Sequence, residues 1–437
     1  MAREWERLTL HEAGVELIDC LHKTPRDAGG GYPYVAIPQM RTGRIDFSAD
    51  PRRISREDYE KWTAKAMPRE HDVILSRRCN PGETAHVPGG VEFALGQNLV
   101  LLRADGAHVH PPFLRWLARG PEWWAQVSQF LNVGAVFDSL RCADVPKFEL
   151  PIPPLPEQRA IANVLGTLDD KIELNRRMSE TLEAMARALF KSWFVGFDPV
   201  RAKAEGRDPG LPEHLAALFP DRFEESELGE IPAGWRVGPI LEHAELLSGG
   251  TPRTARADYW GGGVPWASAK DVSQCGESVL LATERTITEV GLRESATQLI
   301  PKLATVVVAR GATTGRMVLF GREMAMNQTC YALVSKFGAP LALHCQFGCV
   351  VRELVHAAHG SVFDTITTRT FQNSRVILPP PRLLAVFEQR AAPLFERVIA
   401  AIQESRTLAA IRDALLPKLV SGEIRVPDVE RFAEVLA

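Results

Sequence analysis

The residues with the clearest chemical potential form Gly311-Ala-Thr-Thr-Gly315-Arg316, a glycine-rich stretch of the kind that cradles phosphate. It has no lysine and the wrong spacing for Gly-x-x-x-x-Gly-Lys-Ser/Thr, so no P-loop is expected. His110-Pro-Pro-Phe113 approaches the Asn/Asp-Pro-Pro-aromatic tetrapeptide of amino-methyltransferases, but its first residue is wrong and no glycine-rich cofactor loop accompanies it. Gly-x-Ser-x-Gly and His-Glu-x-x-His are missing, and nuclease-like Asp-plus-Glu-x-Lys spacings occur only as chance allows. His344, Cys345 and Cys349 are the one cluster with metal-ligand spacing. A closed zinc site needs four ligands, and two thiols one helical turn apart with no second pair read as core cysteines. Several enzyme classes fail together, and a non-catalytic role is favoured.

The elements around these residues are written twice. Glu157-Gln158-Arg159-Ala160 recurs as Glu388-Gln389-Arg390-Ala391, and Gly134-Ala-Val-Phe-Asp138-Ser as Gly360-Ser-Val-Phe-Asp364-Thr. Thr181–Leu189 matches Thr407–Leu415 at five of nine positions. Fainter pairs precede them: Val73-Ile-Leu-Ser-Arg77 with Val306-Val-Val-Ala-Arg310, Ala94-Leu-Gly-Gln97 with Ala325-Met-Asn-Gln328, and Pro33-Tyr34 with Pro265-Trp266. All six keep their order at offsets of 226 to 233. A duplicated unit is suited to a target that itself has two halves, or to seating two copies of a partner.

Each repeat has two unlike parts. Residues 1–150 and 230–380 carry short β-branched runs bounded by turn residues, such as Asp72–Leu75, Leu99–Leu102, Thr305–Val308 and Arg375–Leu378. They read as mixed α/β domains. A proline hinge follows, Pro151–Pro156 and then Pro379–Pro381, and after it a long helix. In the first helix Ile161, Leu168, Asn175, Leu182 and Leu189 hold one seam position, and Leu165, Ile172, Ser179, Ala186 and Trp193 the other. The second helix repeats this with Phe387, Ala391, Leu394, Val398, Ala401, Ser405, Leu408 and Leu415. So narrow an apolar stripe predicts a coiled coil, and the simplest arrangement pairs the helices with each other, with Asn175 and Ser179 setting register. Pro393 predicts a kink or a late start, and the second helix is expected to be shorter. The fold class is therefore α/β (α+β) domains alternating with long α-helices, an internal two-fold repeat whose helices pair as an antiparallel coiled coil.

Composition is ordinary for globular protein, with 45% apolar and 24% charged residues over 437 positions. No apolar run approaches the ~20 residues of a membrane span, and Met1–Leu10 lacks an apolar signal core. Seven cysteines without Cys-x-x-Cys fit a reducing compartment, so a cytoplasmic location away from membranes is expected. The net charge of −3 means that any nucleic-acid binding must use local patches.

With hinge, helix and repeat in place, the chain resembles the specificity subunit of type I restriction-modification systems over nearly its whole length. The most specific pieces are Pro153–Arg159, Leu168–Asn175, Phe190–Phe194 with Phe197–Val200, Gly229–Trp235, and Gly249–Pro252 with Tyr259–Trp266. The resemblance implies target-recognition domain 1 at 1–152, conserved helical spacer 1 at 153–196 and a linker at 197–229. Target-recognition domain 2 follows at 230–380, with conserved helical spacer 2 and a C-terminal tail at 381–437. It further implies that each domain reads one half of a bipartite, asymmetric DNA site while the helices set the spacing. The implied partners are double-stranded DNA, two modification (methyltransferase) subunits and the restriction subunits (ATP-dependent translocase/nuclease). No cofactor is expected in this chain; S-adenosylmethionine, ATP and Mg belong on partner subunits, and no metal is expected.

On that resemblance the candidate DNA contacts lie in two loops found at matching places in both repeats. After the first strand come Arg77, Arg78 and Asn80, matched by Arg310, Thr313, Thr314 and Arg316. Before the next come Gln97 and Asn98, matched by Asn327, Gln328 and Thr329, with Lys270 as a further candidate. Arginine, lysine, asparagine and glutamine suit base edges and phosphates. The plainer alternative is solvated turn residues, with Gln97 and Gln328 bonding nearby backbone. Trp123, Trp124, Tyr259 and Trp260 are expected in cores rather than stacked on bases. The competing function is a protein-interaction scaffold that binds two partner proteins and no nucleic acid.

Overall fold

A computed structural model describes residues 5–41, 43–134, 138–359 and 365–427. The chain forms two compact units, Met1–Glu173 with Arg406–Ala437, and Leu174–Ser405.

In the first unit a four-stranded sheet has the order Val15–Asp19, Leu99–Ala104, Val73–Ser76, Thr84–His86, all antiparallel. Alternation sends Val73, Leu75, Val100 and Leu102 to one face and Ile74, Leu99 and Leu101 to the other, and all are buried. The first face packs on Phe113, Trp116, Trp123 and the long helices; the second meets Val35, Val87 and Phe93. A smaller sheet joins Arg52–Ile54, Tyr32–Val35 and Ala94–Leu95, the last pair parallel, with Tyr34 opposite Ala94. Trp123 is fully buried as expected, while Trp124 is 39% exposed.

The second unit repeats this plan. Its main sheet runs Ala244–Ser248, Cys330–Ser335, Thr305–Val308, Met317–Phe320, Val279–Leu280, and its small sheet joins Arg285–Ile287, Trp260–Ala267 and Ala325–Met326. Trp266 stands parallel-paired opposite Ala325, as Tyr34 does opposite Ala94. Register corrects one sequence match. Leu102 faces Val73 and Leu333 faces Thr305, so Arg77 corresponds to Ala309, and Arg310 corresponds to Arg78. Repeated Gly134–Ser139 and Gly360–Thr365 lie partly outside the described residues.

The long helices are Leu155–Phe194 and Pro381–Ser421, of 40 and 41 residues. Prolines in the opening turn are tolerated because their missing N–H has no partner there anyway. Gly422, at φ 77°, closes the second helix in the left-handed region that glycine favours. The expected late start at Pro393 and the expected shorter second helix are both corrected. Pro393 is exposed, so the carbonyl it leaves unpaired faces water, and buried Ala391, Phe395 and Val398 hold the turn from the other side.

Within each unit the helices pair antiparallel. In the first, Ile161 and Leu165 share a core with Leu416, Leu419 and Val420, and Arg412 ion-pairs with Asp169. In the second, Asn175 Nδ2 donates to Glu404 Oε2 at 2.8 Å, and the Phe190 and Phe387 rings lie 5.5 Å apart. Asn175 is 1% exposed and polar at mid-seam, which suits register setting. Ile161, Leu165 and Val398 are fully buried, whereas Leu168, Ile172, Leu182, Leu189, Leu394, Ser405, Leu408 and Leu415 are half-buried along the seam.

The stretch 197–229, read as a linker, is folded. It contains the helix Asp198–Ala204, a turn at Glu213–Ala216 and the first strand of the hairpin Phe223–Ser226/Gly229–Pro232. Phe197, Val200 and Phe219 enter the core that holds Trp193, Trp235 and Phe387. Buried aromatics outweigh the entropy that a Pro/Gly-rich composition would otherwise keep.

Candidate nucleic-acid interface

In the first unit the two predicted loops meet. Arg77 N donates to Asn98 O at 3.0 Å, Leu140 N donates to Arg77 O at 2.9 Å, and Arg78 bridges Ser139. Asn80 N donates to Arg78 O at 2.8 Å across Cys79, whose φ of 66° turns the chain sharply. Arg78, Asn80 and Gln97 are exposed and Asn98 is half-buried. Arg77 is half-buried, with Nε out of solvent and without a hydrogen bond.

The Gln97 backbone is held from two sides. Its N–H donates to the Tyr34 hydroxyl at 3.2 Å, and its carbonyl lies 2.9 Å from His22 Nδ1. His22 Nε2 is itself 2.9 Å from Asp19 Oδ2, and Cys20 Sγ donates to Gly96 O at 3.2 Å. Asp19, Cys20 and His22 are the one group with metal-like spacing among the described residues. Asp19 orients His22, while His22 and Cys20 hold the Gln97 and Gly96 carbonyls, and burial pushes the Cys20 thiol up to about 11, so the trio works as a brace for the loop. The Gln97 side chain has no hydrogen bond among the described residues. It opens with Thr24, Arg52, Arg53, Cys79 and Asn98 onto a cleft of about 740 Å³.

The second unit builds the same junction. Ala309 N donates to Thr329 O at 2.8 Å, Ile366 N donates to Ala309 O at 2.9 Å, and Arg310 bridges Thr365. Arg310, Thr313, Arg316 and Gln328 are exposed. Thr314 is half-buried and its hydroxyl donates to Gly311 O at 2.7 Å. Asn327 Oδ1 accepts from Thr329 Oγ1 at 2.8 Å, a local turn bond. Gln328 Oε1 accepts from the Thr251 hydroxyl. Lys270, on the helix Ala269–Gln274, ion-pairs with Glu284 at 2.7 Å. So exposed a pair is weak and leaves the ammonium exchangeable.

Two features were missed from sequence. Arg52 and Arg285 occupy the same register, opposite Tyr34 and Trp266. Arg52 Nη1 donates to Pro25 O at 3.0 Å, while Arg285 stacks on Trp260, 3.4 Å from the ring centre. The signal available was Thr24-Pro25-Arg26 recurring as Thr251-Pro252-Arg253, a short match at an offset of 227. His344 is half-buried and Cys345 buried; His344 Nδ1 lies 3.1 Å from Thr305 Oγ1, and Cys345 packs in the core with Leu341 and Phe387.

A chain with two versions of one α/β head, each presenting the same pair of exposed polar loops, defines a two-headed recognition protein. A family model described as the type I restriction modification DNA specificity domain matches residues 4–184 and 232–409. The chain belongs to this family, as a type I restriction-modification specificity subunit with two such domains. It is 28% identical over 409 residues to the type I restriction enzyme HindI specificity subunit of Haemophilus influenzae, covering 83% of this chain and 88% of that one. It is 26% identical over 406 residues to the MjaIX specificity subunit of Methanocaldococcus jannaschii, covering 92% and 88%. The type I S subunit of M. genitalium has the same fold, with a TM-score of 0.54 at 15% identity over 95% of this chain and 96% of that one. Among the described residues no helix is long and apolar enough to cross a membrane.

Proposed function

We propose that each head reads one half of a bipartite, asymmetric duplex site, and that the paired helices set the spacing and dock two modification subunits. The carrying observation is the repeated junction: Arg77–Asn98 and Ala309–Thr329 backbone bonds place exposed Arg78 with Gln97, and Arg310 with Gln328, at one point of each head. Exposed Leu174 and Met185 on the first long helix, at 59% and 53%, and Ile411 on the second, at 44%, support docking of partner chains there.

The chain carries no catalysis in this reading. Methyl transfer with S-adenosylmethionine, and ATP- and Mg-dependent translocation and cleavage, belong to modification and restriction subunits. A net charge of −3 fits a reader whose partners supply much of the phosphate grip. Replacing residues 1–152 with another head should change one half of the motif recovered from randomised duplex by the assembled complex. A change in both halves, or in neither, overturns the proposal, and salt-independent binding would favour the protein scaffold instead.

A further inference from the structure

This inference rests on the proposed reading of DNA. If two unlike half-sites are read by two cousin heads, whatever the heads share serves what the half-sites share, the phosphate backbone. Bases must be read where the heads differ. The strand registers allow that sorting residue by residue.

Thr24-Pro25-Arg26 and Thr251-Pro252-Arg253 are shared. Both prolines are buried and both arginines exposed, and neither guanidinium has a hydrogen bond or ion pair among the described residues. The loops hang from equivalent anchors. The Tyr34 hydroxyl donates to Lys23 O at 3.2 Å, and Trp266 Nε1 donates to Gly250 O at 2.9 Å. Each loop also meets the reading junction: Thr24 lines the cleft with Gln97, and the Thr251 hydroxyl bonds Gln328. Arg52 and Arg285 are shared too, but the first holds Pro25 O and the second covers Trp260, so they act as supports.

Two positions beside these loops differ. Arg53 stands opposite Pro33 where the second head has Thr286 opposite Pro265. Asn98 accepts the backbone bond that Thr329 accepts in the second head. Arg53 and Asn98 both face the first cleft. The one side-chain bond of Arg53 among the described residues, from Nη1 to Gly31 O at 3.4 Å, is longer and weaker than the 3.0 Å bond that ties Arg52 to Pro25 O. Arginine suits guanine and asparagine suits adenine, whereas threonine is far less selective.

We infer that Arg26 and Arg253 are equivalent phosphate clamps, and that the positions held by Arg53 and Asn98 in one head, and by Thr286 and Thr329 in the other, read bases. The test uses the assembled complex, a randomised duplex pool and a salt titration. Arg26→Ala should weaken every duplex by a similar three- to tenfold, lower the salt slope by about one and leave the motif intact. Arg26→Lys should restore most of that loss. Arg53→Ala should make the first half-motif degenerate at one or two positions and leave the second half unchanged, while Thr286→Arg should alter the second half alone. A motif changed by Arg26→Ala, or left unchanged by both Arg53→Ala and Thr286→Arg, overturns the assignment. A wild-type complex that recovers no bipartite motif would instead overturn the DNA reading beneath it.

Discussion

Arg78 and Arg310 hold the same place in the two heads: each forms an isolated antiparallel bridge, with Ser139 and with Thr365. Those partners are themselves the closing residues of the repeated Gly-x-Val-Phe-Asp segment. On the proposed reading of duplex, equivalent places call for equivalent roles, and these two arginines are expected to grip the backbone in both heads. Arg78→Ala and Arg310→Ala should each reduce the salt slope of binding by about one and weaken all sequences alike. Electrophoretic or fluorescence titration at several salt concentrations would measure this. A sequence-selective loss would reassign them to base reading.

The helix pairing constrains how the spacing can be altered. Extra residues in one helix alone would break bonds such as Asn175 to Glu404. Seven residues inserted after Arg176 and seven after Gln403 keep the seam and add about 10.5 Å. The preferred gap in the DNA motif should then grow by about three base pairs, at roughly 3.4 Å each. A gap of unchanged length would count against a ruler.

Phe387 is fully buried and its ring lies 5.5, 6.4 and 5.6 Å from those of Phe190, Trp193 and Phe194. Phe387→Ala should cost about 3–5 kcal/mol in denaturant unfolding of the second unit. A loss under about 1 kcal/mol would show that the aromatic cluster collapses around the gap.

Glu388 caps the helix Pro340–His359, accepting from Leu341 N at 3.0 Å and Ala342 N at 3.2 Å. Burial outweighs those two bonds and raises its pKa from 4.5 to about 7. A carboxyl raised on folding contributes stability in full below 4.5 and loses it as pH climbs through about 7. Glu388→Gln should therefore gain stability over wild type as pH rises from 4.5 to about 7, then hold a constant margin. Paired thermal melts across that range would read it, and a pH-independent difference would refute the raised carboxyl.

The seam was legible because an apolar side chain every three or four residues has one helical interpretation, and Asn175 stood out as its polar exception. The loop pairs were legible because they recur. Arg77 was matched to Arg310 because identical letters outweighed register, which β-branched runs such as Val306–Val308 do not mark. Residues 197–229 looked like a tether because prolines, glycines and acids outnumber Phe197, Val200 and Phe219, the few side chains that anchor the segment. Arg52 and Arg53 gave no local sign; their strand pairs antiparallel with Tyr32–Val35, and that strand's parallel pairing with Ala94–Leu95, some sixty residues on, brings them to the cleft with Gln97.

Leu416, Leu419 and Val420 complete the core that Ile161 and Leu165 begin. The opening head therefore leaves the ribosome long before the side chains that seal it. A message broken ahead of Leu416 yields a polypeptide whose first module lacks its cover, so truncated products should be cleared by proteases rather than compete with intact subunits for partners.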